Sequence, residues 1–286
     1  MSVDDGAIEQ EMEESLSAMG EAEARDIQKE MKTYDVIKVK KWECPESTGV
    51  PIITMPNVPR PLHGKGMQPR TIYGKSTWDF LRKKAYYNAG YKCEICGREP
   101  ERGDLHAHEL FTYDYEHTTG EFKRVVAICR TCHDAIHSGR LITMFKNKNP
   151  LYPKSYVLRV VENCFKLVYN YNKEHDEDEQ LRVYATYLEY LDMPELRSEM
   201  EKLIDKYHIK FYEEELPKKK RWKGWKLVVG KNVYNSPYSS QGEWEEAMKQ
   251  MNATDNVRTV ADPFSGGVFE EIDKFFQESV DTNTQA

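Results

Sequence analysis

The sequence predicts an α+β fold. A small strand–loop–strand–helix module leads, a helical region and a small C-terminal β-hairpin region follow, and acidic, disordered tails close both ends. Three observations carry this reading. Two Cys-x-x-Cys pairs, Cys93/Cys96 and Cys129/Cys132, lie in the stretch from Cys93 to His137, which holds five of the eight histidines. Residues 155–207 repeat apolar side chains at helical spacing. The runs WKLVV and VYNSPY flank Gly230-Lys231-Asn232, the pattern of a hairpin.

The tails follow from charge. The 286 residues carry 41 Lys and Arg against 48 Asp and Glu, a net charge of −7. Residues 1–30 hold ten acidic and two basic side chains (−8), and residues 254–286 hold seven and two (−5). Removing both from −7 leaves +6 on residues 31–253. A basic body between acidic tails suits a polyanionic partner, because local charge decides phosphate binding. The tails offer a surface to a protein partner. The sequence leaves the oligomeric state open. No apolar run approaches the eighteen residues of a membrane helix, and the acidic start lacks the apolar core of a secretory signal. Four paired-motif cysteines, with Cys44 and Cys164 single, suit a reducing, cytoplasmic setting.

In chain order, residues 1–30 are the acidic tail, and 31–75 an extended arm with six prolines between 42 and 75. The module spans 76–140. It opens with a helix capped by Ser76 and running to Asn88, with Trp78, Leu81 and Ala85 inward and Lys83 and Lys84 outward. Residues 151–208 form the helical region, expected as three helices. The first buries Val157, Val160, Val161, Cys164, Phe165 and Val168, and the last buries Leu196, Met200, Leu203 and Tyr207. Residues 209–252 contain a strand, the hairpin and a closing helix. Lys219, Lys220, Arg221 and Lys223 beside Trp222 have the composition of a nucleic-acid groove, and equally of a solvated hairpin. Residues 253–286 are the second acidic tail.

The module carries the chemistry. Each Cys-x-x-Cys pair can grip one ion from a tight turn, and two grips complete a tetrahedral four-thiolate zinc site. His133 and His137 stand four apart, on one side of a helix expected to stop before Gly139. DLHAHEL and KRVVAIC read as strands, the first ending at an aromatic-rich loop. Strand, loop, strand and helix bring His108 opposite His133 and His137, and three imidazoles can hold a second divalent cation (Mg, Mn, Ni or Zn) with positions open for water and a phosphate oxygen.

These pieces resemble an HNH endonuclease, the ββα-metal, treble-clef-like nuclease fold, in its zinc-stapled form. The resemblance rests on Cys93-x-x-Cys96, Leu105-His106-Ala107-His108-Glu109, Ile128-Cys129-x-x-Cys132-His133 and His137, and covers roughly sixty residues with the helix ahead of Cys93. It implies DNA as substrate, His108, His133 and His137 as ligands of the catalytic ion, and Glu109 as general base. Two positions depart from the family: glutamate stands where the base is usually histidine, and Arg124 stands where asparagine is frequent. On a regular strand His108 and Glu109 face opposite ways, so both serve one site only if the strand bulges or ends there. Asp114, Glu116 and His117 in the loop, and His106 on the face of His108, are substitutes. Arg124 can pair with Glu109 or Asp114, or hold a scissile phosphate. The other reading is an inactive zinc scaffold that binds nucleic acid or a protein partner.

Overall fold

The β-branched run before Cys129 and the alternating residues before it fold into a long hairpin. β3 (Leu105–Asp114) and β4 (Thr119–Cys129) pair antiparallel, from Leu105 opposite Cys129 to Asp114 opposite Thr119. Val126, Ala127 and Ile128 are all fully buried, so both faces of β4 are covered, which a continuous apolar run requires. The aromatic-rich stretch expected as a loop is strand, and only residues 115–118 turn. There Asp114 accepts the His117 backbone N–H at 2.8 Å, an Asx-type turn.

The structure is a computed structural model that describes residues 33–63, 69–101, 103–217, 224–236, 238 and 240–254. The expectations for residues 1–30 and 255–286, and for Lys219, Lys220, Arg221, Trp222 and Lys223, fall outside these. All of the described elements lie within Val36–Ala286. The protein is mixed α and β.

The proline-rich arm is no loose arm. β1 (Val36–Val39) and β2 (Lys41–Trp42) open it, and β2 adds to the free edge of β3. Two 3₁₀ turns, Val50–Thr54 and Arg60–Leu62, follow, with Ile52, Ile53, Met55 and Leu62 buried. Proline at their first positions fixes φ and spares an unpaired N–H. α1 (Pro69–Asn88) breaks its helical geometry at Gly74, so its regular part starts near the expected Ser76. Trp78, Leu81 and Ala85 are buried, as their spacing requires.

α2 (Arg130–Ile136) follows β4 directly, and α3 (Ser138–Lys146) starts one residue later, with His137 as the hinge between them. Gly139 therefore does not stop a helix. It lies in α3, where a Cβ would stand 3.1 Å from Asn57 Nδ2, so its lack of a side chain admits the strap. α4 (Lys154–Glu174) buries all six residues of its expected stripe. The expected middle helix is instead a short strand, β5 (Val183–Tyr184), and a 3₁₀ stretch, Ala185–Asp192. α5 (Pro194–Tyr207) buries Leu196, Met200 and Tyr207, with Ile204 in place of Leu203.

β6 (Phe211–Glu214) sits between β1 and β5, parallel to both. β7 (Lys226–Val229) and β8 (Asn232–Asn235) form the expected hairpin round Gly230, whose φ of 56° suits glycine. β7 joins β4 in parallel, completing a sheet in the order β2-β3-β4-β7-β8. Trp225 anchors the junction, 1% exposed. α6 (Gln241–Thr254) is the closing helix. Among the described residues no helix is long and apolar enough to cross a membrane.

Candidate metal centres

Cys93, Cys96, Cys129 and Cys132 offer four sulfurs within 4.8 Å of one another. Local geometry places each. The Cys93 N–H donates to Arg98 O and the Gly97 N–H to Cys93 O, both at 2.8 Å, closing a tight knuckle in which Gly97 takes φ 70°. Cys129 ends β4 and Cys132 lies in the first turn of α2. Thiol hydrogen bonds from Cys132, Cys93 and Cys96 push Cys129 far down, while Cys129, Cys93 and Cys96 push Cys132 far up. Four clustered sulfurs, three on buried cysteines and one on the half-buried Cys96, ionise together only round a cation, so the donor set fits a structural metal such as zinc. The Arg98 guanidinium beside Cys129 offsets part of the thiolate charge.

Glu94 ties this knuckle to the sheet. Its N–H donates to Ala127 O at 2.9 Å, and its Oε1 accepts the Ala127 N–H at 2.7 Å. Arg124 does not reach toward Glu109 or Asp114. Its guanidinium donates to Glu94 Oε2 at 3.0 Å and to Ser47 O at 3.3 Å. Arg124 thus braces the cysteine knuckle.

The second group is imidazole. His108, His133 and His137 place ligand atoms within 4.8 Å of one another, with ring centroids 5.3 Å (His108–His133), 4.8 Å (His108–His137) and 4.7 Å (His133–His137) apart. His108 is 4% exposed, and its Nε2, like His133 Nδ1, is a buried nitrogen without a hydrogen-bond partner. Such orphans are costly unless something absent from the protein chain satisfies them. Burial, then the neighbouring rings of His137 and His133, pushes His108 well below the usual imidazole range. Burial, then His137, His106 and Arg140, lowers His133 to about 2. Burial, then Arg140 and His63, lowers His137 to about 4. All three are neutral near pH 7, the form that donates a lone pair to a metal. The set could hold a metal ion.

The helix bearing these ligands is pinned at its end. Tyr187 OH donates at 2.8 Å to Ala135 O, a carbonyl that the last turn of α2 leaves free, and Tyr190 OH donates at 3.4 Å to Ser138 O in the first turn of α3. Asp134, 3% exposed, accepts Tyr156 OH at 2.5 Å. Tyr156 and Asp134 carried no reading from the sequence. The Arg130/Asp134 spacing of four was the available signal.

Glu109 stands apart from the three imidazoles. β3 pairs in regular register at His108/Val126 and Glu109/Val125, and its bulge comes later, between Leu110 and Phe111. Alternation therefore turns Glu109 to the face of Phe111 and Tyr113, where its charge acts on Tyr113. The loop substitutes are remote as well: six residues of strand put Asp114 about 20 Å from His108. Asp114 accepts His117 Nδ1 at 2.8 Å instead. His106 is near. It shares the face of His108, and its ring centroid lies 4.9 Å from His133. Lys83 is exposed and Lys84 half-buried on α1. Compared with known protein families, curated proteins and solved structures, the chain matches none.

Proposed function

We propose that the chain is a metal-dependent DNA endonuclease of the HNH type, with His106 rather than Glu109 as the group that takes the proton from water. One observation carries the reading: two unsatisfied imidazole nitrogens and a third ring converge between a hairpin and a helix, beside a separate four-sulfur site. A scaffold that only needed stapling has its staple in the cysteines.

A divalent ion held by His108, His133 and His137 supplies a Lewis acid for a phosphoryl oxygen. The chain's own residues do the rest. Tyr187 holds the end of α2, Tyr190 the start of α3 and β3 holds His108, so the ligand nitrogens keep their spacing without reorganisation. His106 Nδ1 or Nε2 accepts a proton from the attacking water, a task for which imidazole is in general the better base near neutral pH than a carboxylate. The cysteine site takes no part in the chemistry and fixes the knuckle to β4 and α2.

The test is incubation of supercoiled plasmid with purified protein, with magnesium, manganese, nickel or zinc, and with chelator. Nicking or linearisation that needs added ion, and that His108→Ala and His133→Ala each abolish, supports the reading. Equal cleavage by those variants sinks it. A protein that retains one tight zinc and never cuts is the inactive scaffold.

A further inference from the structure

Beside the imidazoles, three arginines from three helices stack on two tyrosines. Arg140 lies 6.0 Å from the Tyr152 ring centroid, and Arg130 lies 6.0 Å from Tyr152 and 5.4 Å from Tyr156. Arg159 lies 5.1 Å from Tyr156. The order is Arg140, Tyr152, Arg130, Tyr156, Arg159, a ladder of alternating guanidinium and phenol. Its first rung adjoins the metal-ligand set, since the Arg140 charge weighs on both His133 and His137.

One buried carboxylate sits under this ladder, and it does not account for three cations. Asp134 is 3.8 Å from Arg130 Nε and 3.7 Å from Arg140 Nη1, beyond hydrogen-bond length for both. Arg159 is exposed, and among the described residues it has no ion pair. Arg130 and Arg140 remain 38% and 46% exposed. Arg140 Nη2 donates to Tyr152 OH at 2.8 Å, which fixes that guanidinium and leaves its remaining N–H groups to meet phosphate oxygens, while stacking on Tyr156 fixes the plane of Arg159. A lysine rail would give charge without that orientation.

We propose that Arg130, Arg140 and Arg159 form the rail that holds the phosphodiester backbone of duplex DNA and leads it to the imidazole site. The inference rests on the nuclease reading for its substrate but concerns binding, so the two can fail separately. Arg140 stands nearest the scissile phosphate, and Arg130 and Arg159 take successive phosphates beyond it.

The test is fluorescence anisotropy of the full chain with a labelled duplex at a series of salt concentrations, without added divalent ion so that zinc is retained and cleavage does not intervene. Each phosphate contact contributes about 0.9 to the slope of log affinity against log salt. Arg159→Gln is the fold-neutral arm, because that side chain is exposed and unpaired by any described carboxylate. Its slope falls by about 0.9, and that of the triple Gln variant by roughly 2 to 3. The triple Lys variant keeps most of the slope yet binds several-fold more weakly, having lost the fork. An unchanged slope for Arg159→Gln, or no duplex binding by the parent, overturns the proposal. A parent that binds duplex through these arginines but never cuts plasmid leaves the rail standing and ends the nuclease reading. A parent that cuts while Arg159→Gln keeps its slope does the reverse.

Discussion

Arg124 and Glu94 form the brace that holds the cysteine knuckle to the sheet, with Nη1 donating to Oε2 at 3.0 Å while the other carboxylate oxygen takes the Ala127 N–H. The pair is mostly covered, with side chains 29% and 10% exposed. Glu94→Ala removes a charged acceptor from a backbone donor and from Arg124 together, and is expected to cost about 2–4 kcal/mol. Arg124→Ala leaves the Ala127 bond intact and is expected to cost about half as much. Urea unfolding of both variants measures the difference. Equal losses would mean that the backbone bond contributes little.

Metal removal separates the two centres. Stripping the four-sulfur site is expected to unfold the hairpin and α2, because so small a unit gains much of its stability from the ion. Cys93→Ser and Cys132→Ser should lower bound zinc and collapse the thermal transition. Cys164→Ala should leave zinc content unchanged, since Cys164 is fully buried in α4 and is not among the four clustered sulfurs. Zinc released on thiol modification, followed with a chromogenic chelator, decides this.

Acid should weaken the fold through the imidazoles. The unfolded chain protonates these rings near pH 6.5. The folded chain does so only at about 4 for His137 and about 2 for His133. Below about pH 6.5 the unfolded state therefore binds more protons, so their contribution is complete above that pH and is lost as pH falls toward 4. Each ring contributes on the order of 1.4 kcal/mol per pH unit in that window. Urea midpoints at pH 7.5 and 5.5 should differ less in His108→Asn and His137→Asn than in the parent. A slope as steep in the variants would remove these rings from the account.

Base assignment turns on face. Glu109→Gln is expected to change cleavage by less than about threefold, and His106→Ala to lower it by roughly a hundredfold or more. A large loss in Glu109→Gln with little loss in His106→Ala would restore the glutamate.

Much of the metal geometry is legible in sequence because it is local. Cys-x-x-Cys spacing dictates a knuckle, and His133 and His137 share a side of any helix. His108 joins them once two strands precede that helix. The position of Glu109 is not legible in the same way. It depends on which strand pair carries the bulge, and the bulge falls after Leu110 rather than at His108. The stripe in α4 could be read because 3.6-residue periodicity survives any context, whereas Leu181 to Asp192 has apolar residues at spacings that a helix and a 3₁₀ stretch both satisfy. Non-local pairings left no trace: nothing in Val36–Val39 announces that Phe211–Glu214 lies beside it. That pairing is why the arm is a structural strap instead of an appendage.

The parallel seam between β4 and β7 has a consequence for how the chain is made. Thr118 Oγ1 donates to Gly224 O at 2.9 Å across 106 residues of sequence, and the outer end of β4 has no strand partner on that side until β7 arrives. At translation rates of about 5–20 residues per second, that edge waits on the order of five to twenty seconds after it leaves the ribosome. A bare strand edge of that duration invites association with another nascent chain. Slowing synthesis after residue 129, or truncating before Lys226, should therefore raise the insoluble fraction during expression.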